Sequence, residues 1–285
     1  MTGAAQPARR PVPCGPYRLG DGALFVIAGP DVLESRTLAL ETARTLQSTA
    51  ARLGVALIYK SSYRKANRTS AAAYAGPGLA QGLEWLAEVK AETGLPILTD
   101  VHSIEEVGPA AAVADVLQIP AFLSRQTFLI RAAAETGRVI NLKKGQFLAP
   151  DDMARAAEKV TAAGNDKVLL TERGTTFGYH NLVVDMRTLG RLRALGFPVV
   201  FDATHAVQLP SAADGVSGGE REFIGLLARA AVAAGVDGVF LETHPDPASA
   251  RCDAASQWPL GEFSPLLETL LAFHAVRQSH PDGTP

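Results

Sequence analysis

One local pattern recurs along most of the chain. A short β-branched apolar run leads into a polar loop. An Ala/Leu/Glu-rich stretch follows, with apolar residues at i, i+3 and i+4, and a glycine closes it one to three residues before the next run. The closing glycines are Gly54, Gly94, Gly137, Gly164, Gly196 and Gly235. Glycine suits that place because a chain leaving a helix commonly turns through positive φ. The apolar runs are ALFVIAG (23–29), VALIYKS (55–61), PILTD (96–100), DVLQIP (115–120), RVINLKK (138–144), KVLLTER (167–173), FPVVFDA (197–203) and DGVFLET (237–243). They are continuous rather than alternating, as parallel strands covered on both faces must be.

Strands that alternate with helices make βαβ units, and eight of them predict an α/β fold, a single (β/α)8 TIM barrel over residues 23–278. A doubly wound open sheet is the other fold this pattern allows, but no GxGxxG follows the first run. GPGLAQG (76–82) comes after a loop and carries little weight as a nucleotide motif. Residues 1–22 are Pro/Gly-rich. They read either as a hairpin plugging the barrel floor or as a disordered tail, and residues 279–285 read as a frayed end. The length agrees with one domain, since barrels often use ~250 residues.

Of the 285 residues 47% are apolar, and 27 Lys+Arg against 29 Asp+Glu leave a charge of −2, a globular composition. Near-neutrality argues against a nucleic-acid binder, which shows a basic face. No apolar run approaches the ~18 residues a membrane span needs. The first residues lack the apolar core of a secretory signal. The two cysteines, Cys14 and Cys252, do not make a disulfide framework, although sequence leaves a single pairing of them open. The expectation is a cytoplasmic enzyme without nucleic-acid or membrane partners.

In such a barrel the chemistry sits at the carboxyl ends of the strands. Read there, the runs end in Asp31; Lys60 with Ser61 and Ser62; Asp100 with His102; Gln118; Asn141, Lys143 and Lys144; Glu172 and Arg173; Asp202 and His205; Glu242 and His244. Any one of these is ordinary loop polarity. Together they put ionisable or amide groups on every strand at one end, where unpaired charge is costly. Lys60, Lys143 and Arg173, with Lys65 and Arg68 from the next loop, form a cationic set suited to phosphate and carboxylate. The loop Lys65-Ala66-Asn67-Arg68-Thr69-Ser70 reads as a phosphate cradle or as a solvated basic loop. Asp31, His205, Glu242 and Asp253 form a competent divalent-metal set. They meet only if the first and last strands pair. A salt-bridged His–carboxylate network is the other reading of these four.

The segments FVIAGPDVLES (25–35), YKSSYRKANRTS (59–70), LTDVHS (98–103), LQIPAFLSRQT (117–127), NLKKGQFLAP (141–150), TERGTTFGYHNLVVDMR (171–187), FDATHAVQLP (201–210), SGGEREF (217–223) and LETHPDP (241–247) run in one order from Phe25 to about Leu271. In these the chain resembles the 3-deoxy-D-manno-octulosonate 8-phosphate synthases. These enzymes join phosphoenolpyruvate to D-arabinose 5-phosphate in Kdo and lipopolysaccharide biosynthesis. The resemblance implies a phosphoenolpyruvate site of Lys60, Lys65, Gln118, Ala121, Lys143 and Arg173. It implies a sugar-phosphate site of Asn67, Arg68, Thr69 and Asp100, joined by Arg125 from a neighbouring subunit of a homotetramer. Lys65, Asn67, His205 and Asp253 are the implied catalytic residues, and His205, Glu242 and Asp253 are three of four metal positions.

The fourth metal position is cysteine in the metal-dependent class and asparagine in the metal-independent class; here it is Asp31. Carboxylate shifts preference towards Mn²⁺ or Mg²⁺ over softer Fe or Zn. Gly145 and Gln257 lean towards the metal-dependent class. No organic cofactor is implied. Three further departures bear on the aldehyde: Arg64 stands where the family has aspartate, Ala75 replaces the arginine of RGPG, and Phe128 replaces the aspartate of RQTDL. A related synthase using another aldehyde such as erythrose 4-phosphate, and a non-catalytic sugar-phosphate sensor, are the alternative functions.

Overall fold

The structure, a computed structural model, describes residues 10–67, 73–213 and 216–280. The apolar runs become barrel strands β1 (Phe25–Gly29), β2 (Ala56–Lys60), β3 (Ile97–Asp100), β4 (Val116–Ile119), β5 (Val139–Lys143), β6 (Val168–Glu172), β7 (Val199–Asp202) and β8 (Gly238–His244). All pair in parallel with their sequence neighbours. The sheet closes because β8 pairs with both β7 and β1, in the registers Val200↔Gly238 and Phe25↔Gly238. Closure excludes the open doubly wound sheet.

Each strand is followed by a helix: α1 (Arg36–Leu53), α2 (Leu79–Thr93), α3 (Ile104–Val113), α4 (Thr127–Glu135), α5 (Met153–Thr161), α6 (Arg187–Arg193), α7 (Ile224–Ala234) and α8 (Phe263–Ser279). Ser35 caps α1, its Oγ accepting from the Leu38 N–H at 3.2 Å. The six glycines read as helix stops all have φ between 67° and 92°. None of the described helices is long and apolar enough to cross a membrane.

Period two divides each strand between two cores. On β1, Val26 and Ala28 join the apolar layer shared with the helices, whereas Phe25 and Ile27 point into the barrel. Ile58, Leu98, Val116, Val139, Leu169, Val200 and Phe240 fill that interior from the other strands. The hairpin Val12–Cys14/Tyr17–Leu19 packs Val12, Cys14 and Leu19 against the same cluster, so the described part of the extension plugs the barrel. Both cysteines are buried, and they form no disulfide with each other.

On seven of the eight strands, two residues beyond the inward apolar side chain, the same face carries a polar one. Ile58 is followed by Lys60, Leu98 by Asp100, Val116 by Gln118, Val139 by Asn141, Leu169 by Thr171, Val200 by Asp202 and Phe240 by Glu242. A dry layer thus supports a polar layer at the carboxyl mouth, the end where barrels of this kind place their sites.

Candidate active site

The mouth holds a cavity lined by Lys60, Lys65, Asn67, Asp100, Gln118, Ala121, Lys143, Arg173 and His205, all of them expected from the sequence. His102, Pro120, Phe122 and Gln146 complete much of the wall. Arg125 lies elsewhere, exposed in the turn before α4. Arg68 and Thr69 fall outside the described residues.

Beneath the cavity, Asp31, His205, Glu242 and Asp253 each bring a ligand-type atom, and these atoms lie within 4.8 Å of one another. Backbone pairing continues past the strands to hold them. Ser62 N–H donates to the Asp31 carbonyl at 3.3 Å and Leu33 N–H to the Ser62 carbonyl at 3.0 Å. At the carboxyl end of β8, Thr243 pairs with Trp258 and His244 with Pro259, which brings the 250–257 segment over the barrel with Asp253 on it. Asp253 sits at φ 47°, a left-handed conformation rare for a non-glycine residue and concentrated at functional sites. Gln208 Nε2 donates to its Oδ2.

The donor set suits a divalent cation. His205 Nδ1 lies 2.8 Å from Asp202 Oδ2, so that nitrogen carries the proton and Nε2, 3.5 Å from Glu242 Oε2, keeps its lone pair. Asp31 is fully buried, and its Oδ2 accepts no hydrogen bond. Its Oδ1 contacts the Lys65 ammonium. Lys60 Nζ donates to Glu242 Oε1 at 2.7 Å and to the Asp31 carbonyl at 3.0 Å. Two ammonium groups therefore offset these carboxylates.

The electrostatics follow from burial and pairing. Burial would raise Asp31, but Lys65 and Lys60 override it and hold the carboxyl well below its usual range. Burial and the adjacent Asp31 push Glu242 up. Burial likewise opposes ionisation of Asp202, yet His205 and Lys143 keep it strongly acidic. Burial draws Lys143 down against the pull of Asp202 and Glu242, and draws His205 down too.

Of the cavity-lining cations, Arg173 keeps a donor without a protein partner. Arg173 Nη2 donates to Gln208 Oε1 at 2.8 Å while Nη1 makes no hydrogen bond, though buried. Lys143 Nζ pairs with Asp202 and lies 3.9 Å from the Phe240 ring centre. Across the floor Thr171 donates to Asn141 at 2.6 Å, Asn141 to Gln118 at 2.8 Å and Gln118 to Asp100 at 2.6 Å; Ser62 donates to the other Asp100 oxygen at 2.7 Å. The chain of bonds fixes which way each amide faces.

Two strand-end residues turn out to be structural. Lys144 is fully buried away from the cavity, 3.1 Å from Thr175 Oγ1 and 3.7 Å from Glu172, and Glu172 accepts from the Gly174 N–H at 2.6 Å. The sequence reading missed Gln208, which holds Asp253, and Gln146 in the wall. Their one signal was membership of the motifs around them, because neutral amides stand out by neither charge nor periodicity.

Residues 12–275 match the model of the DAHP synthetase I family. The chain is 57% identical over 252 residues to a protein of Nitratidesulfovibrio vulgaris named 2-dehydro-3-deoxyphosphooctonate aldolase, covering 88% of this chain and 92% of that one. Proteins of the same name from Trichlorobacter lovleyi and Stenotrophomonas maltophilia are 56% and 53% identical. These alignments cover 92% and 94% of this chain and 97% of each relative.

Proposed function

The chain belongs to the DAHP synthetase I family, and from that premise we propose that it condenses phosphoenolpyruvate with D-arabinose 5-phosphate and water, giving 3-deoxy-D-manno-octulosonate 8-phosphate and inorganic phosphate. It is a 3-deoxy-8-phosphooctulonate synthase, a transferase forming a carbon–carbon bond. The observation that carries this reading is identity above half, over nearly the whole chain, to relatives named 2-dehydro-3-deoxyphosphooctonate aldolase. The catalytic unit is the barrel over 23–278, extended by residues 1–22 and ended by 279–285.

Both substrates are anions, and most of the work is to hold them together against their repulsion. Lys60, Lys143 and Arg173, with Lys65, Gln118 and Ala121, take the phosphate and carboxylate of phosphoenolpyruvate; the unbonded Arg173 Nη1 supports this assignment. Asn67, Arg68, Thr69 and Asp100 take the sugar phosphate. Carbon 3 of phosphoenolpyruvate attacks the aldehyde, forming the new bond. Water adds at carbon 2, and phosphate leaves by C–O cleavage. Lys65, Asn67, His205 and Asp253 act on the reacting atoms. Lys65 supplies a proton donor beside the developing alkoxide, and Asp253 and His205 hold the proton-accepting side.

Asp31, His205, Glu242 and Asp253 would hold a divalent metal, with Mn²⁺ or Mg²⁺ preferred by an oxygen-rich set and Fe or Zn the softer options. Bound there, the ion would act as a Lewis acid orienting aldehyde or water. We place the enzyme in the cytoplasm as a homotetramer in which Arg125 serves a neighbour's sugar-phosphate site.

The test is phosphate release from phosphoenolpyruvate with arabinose 5-phosphate, using chelator-stripped protein before and after Mn²⁺. Release that returns with Mn²⁺ supports both synthase and metal. Equal release without it keeps the synthase and removes the metal. Faster release with erythrose 4-phosphate establishes the related synthase instead; the departures at Arg64, Ala75 and Phe128 are what make the choice of aldehyde worth testing. No release with either aldehyde overturns the assignment.

A further inference from the structure

Glu106 is not among the residues lining the cavity at the mouth, yet it touches two of its walls. It lies buried in the first turn of α3, where the helix N-terminus favours negative charge. Its Oε2 accepts from Tyr63 Oη at 2.7 Å, from the His102 N–H at 2.9 Å and from His102 Nδ1 at 3.1 Å. Its Oε1 pairs with the Arg64 guanidinium. Tyr63 and Arg64 directly precede Lys65, Ala66 and Asn67, which line the cavity from one side; His102 lines it from another.

We infer that Glu106 is a positioning residue for the sugar phosphate, clamping the Lys65–Asn67 segment to His102 through Arg64 and Tyr63. The inference rests on the synthase reading above. A carboxylate only accepts, so Nδ1 of His102 must donate to it. That leaves Nε2 as the polar atom His102 can offer a hydroxyl of the substrate. Burial keeps the ring from gaining a second proton, against the pull of Asp100. The loop side is anchored twice more, by Lys65 N–H donating to the Ala75 carbonyl at 2.8 Å and Gly78 N–H to the Tyr63 carbonyl at 3.1 Å. Its lateral position relative to α3 still depends on Glu106. Arg64 stands where the resembling family carries aspartate, a charge that would repel Glu106. A half-exposed pair on its own contributes little. Here the partner carboxylate is buried and holds three other donors, so losing it releases both walls.

The test is steady-state kinetics of wild type, Glu106→Ala, Glu106→Gln and Arg64→Ala, with a melting curve for each. Glu106→Ala should raise the KM for arabinose 5-phosphate about tenfold, more than it raises the KM for phosphoenolpyruvate, and should lower kcat through the displaced Lys65 and Asn67. Glu106→Gln keeps an acceptor for Tyr63 and His102 and should recover part of the loss. Arg64→Ala, at a half-exposed position that folding tolerates, should move the same KM in the same direction by less. A lower melting temperature with both KM values unchanged makes Glu106 structural and overturns the clamp. So does an equal rise in both KM values. If wild type itself uses another aldehyde, the substrate reading fails, and the same comparison with that aldehyde still decides the clamp.

Discussion

Lys143 illustrates how much a single residue carries. Its amine is buried, paired with Asp202 and set over the face of Phe240. An ammonium so desolvated interacts far more strongly with an incoming anion than a surface lysine does. Lys143→Ala should therefore lower kcat/KM for phosphoenolpyruvate by about 10²–10⁴ while the protein still folds. Wild-type turnover in that variant would remove Lys143 from the anion site. Asp31 makes the complementary case. Its fully buried carboxylate has an oxygen without a hydrogen bond, which a cation would satisfy. Asp31→Asn should weaken Mn²⁺ binding about tenfold or more, read from the spin-resonance signal of free Mn²⁺ in a titration. Unchanged Mn²⁺ affinity would take Asp31 out of the ligand set. Both residues were legible in the sequence for one reason: they stand at or just beyond the carboxyl ends of continuous apolar runs. Glu106 was not, because its importance arises from four donors supplied by separate segments.

At the scale of elements, the eight runs match the eight strands to within one or two residues, because strands buried on both faces leave continuous apolar text. The short pairs Thr175–Thr176/Leu182–Val183 and Gln208–Ala213/Val216–Gly219 were not foreseen. Two-residue strands have no period to detect, and the second pair lies within polar, glycine-rich text. The N-terminal hairpin stayed undecided between plug and tail, since three inward residues carry too little pattern. Its packing makes a test through Cys14. Burial pushes that thiol from 9.0 up to about 12. Between those values the unfolded chain loses the proton and the folded chain keeps it, so folding binds more protons. Stability from this group is complete below pH 9 and falls as pH rises towards 12. From pH 8 to pH 10 the loss should be about 1 kcal/mol. Urea denaturation of wild type and Cys14→Val at both pH values isolates it. The variant should be less sensitive to pH by that amount. Equal sensitivity would mean that the hairpin leaves Cys14 open to ionisation within the folded barrel.

The molecule as a whole carries a mismatch between its barrel and its surface. The interior is dry and closed, but Phe122, Phe128 and Phe147 are 59%, 76% and 52% exposed. Phe122 and Phe128 flank Arg125 in sequence. The Phe147 ring comes close to Gly145, a residue adjoining Ser124 and the Ala121 carbonyl, so these side chains share one side of the mouth. Apolar side chains gathered on one side of a soluble domain are usually covered by a partner. A charge of −2 offers little repulsion between copies. The proposed tetramer would cover this side and, in the same contact, deliver Arg125 to a neighbouring mouth. Light scattering should then give wild type a mass about four times 29.9 kDa. Phe128→Asp places a charge where contact must be dry, and should shift the mass downward and raise the KM for the sugar phosphate together. Arg125→Ala should raise that KM while the mass stays put, because it removes the delivered group and leaves the apolar contact. A wild-type monomer with full activity would separate catalysis from assembly. Arg125 would then be left as an ordinary surface arginine and the aromatic side of the mouth in need of another partner.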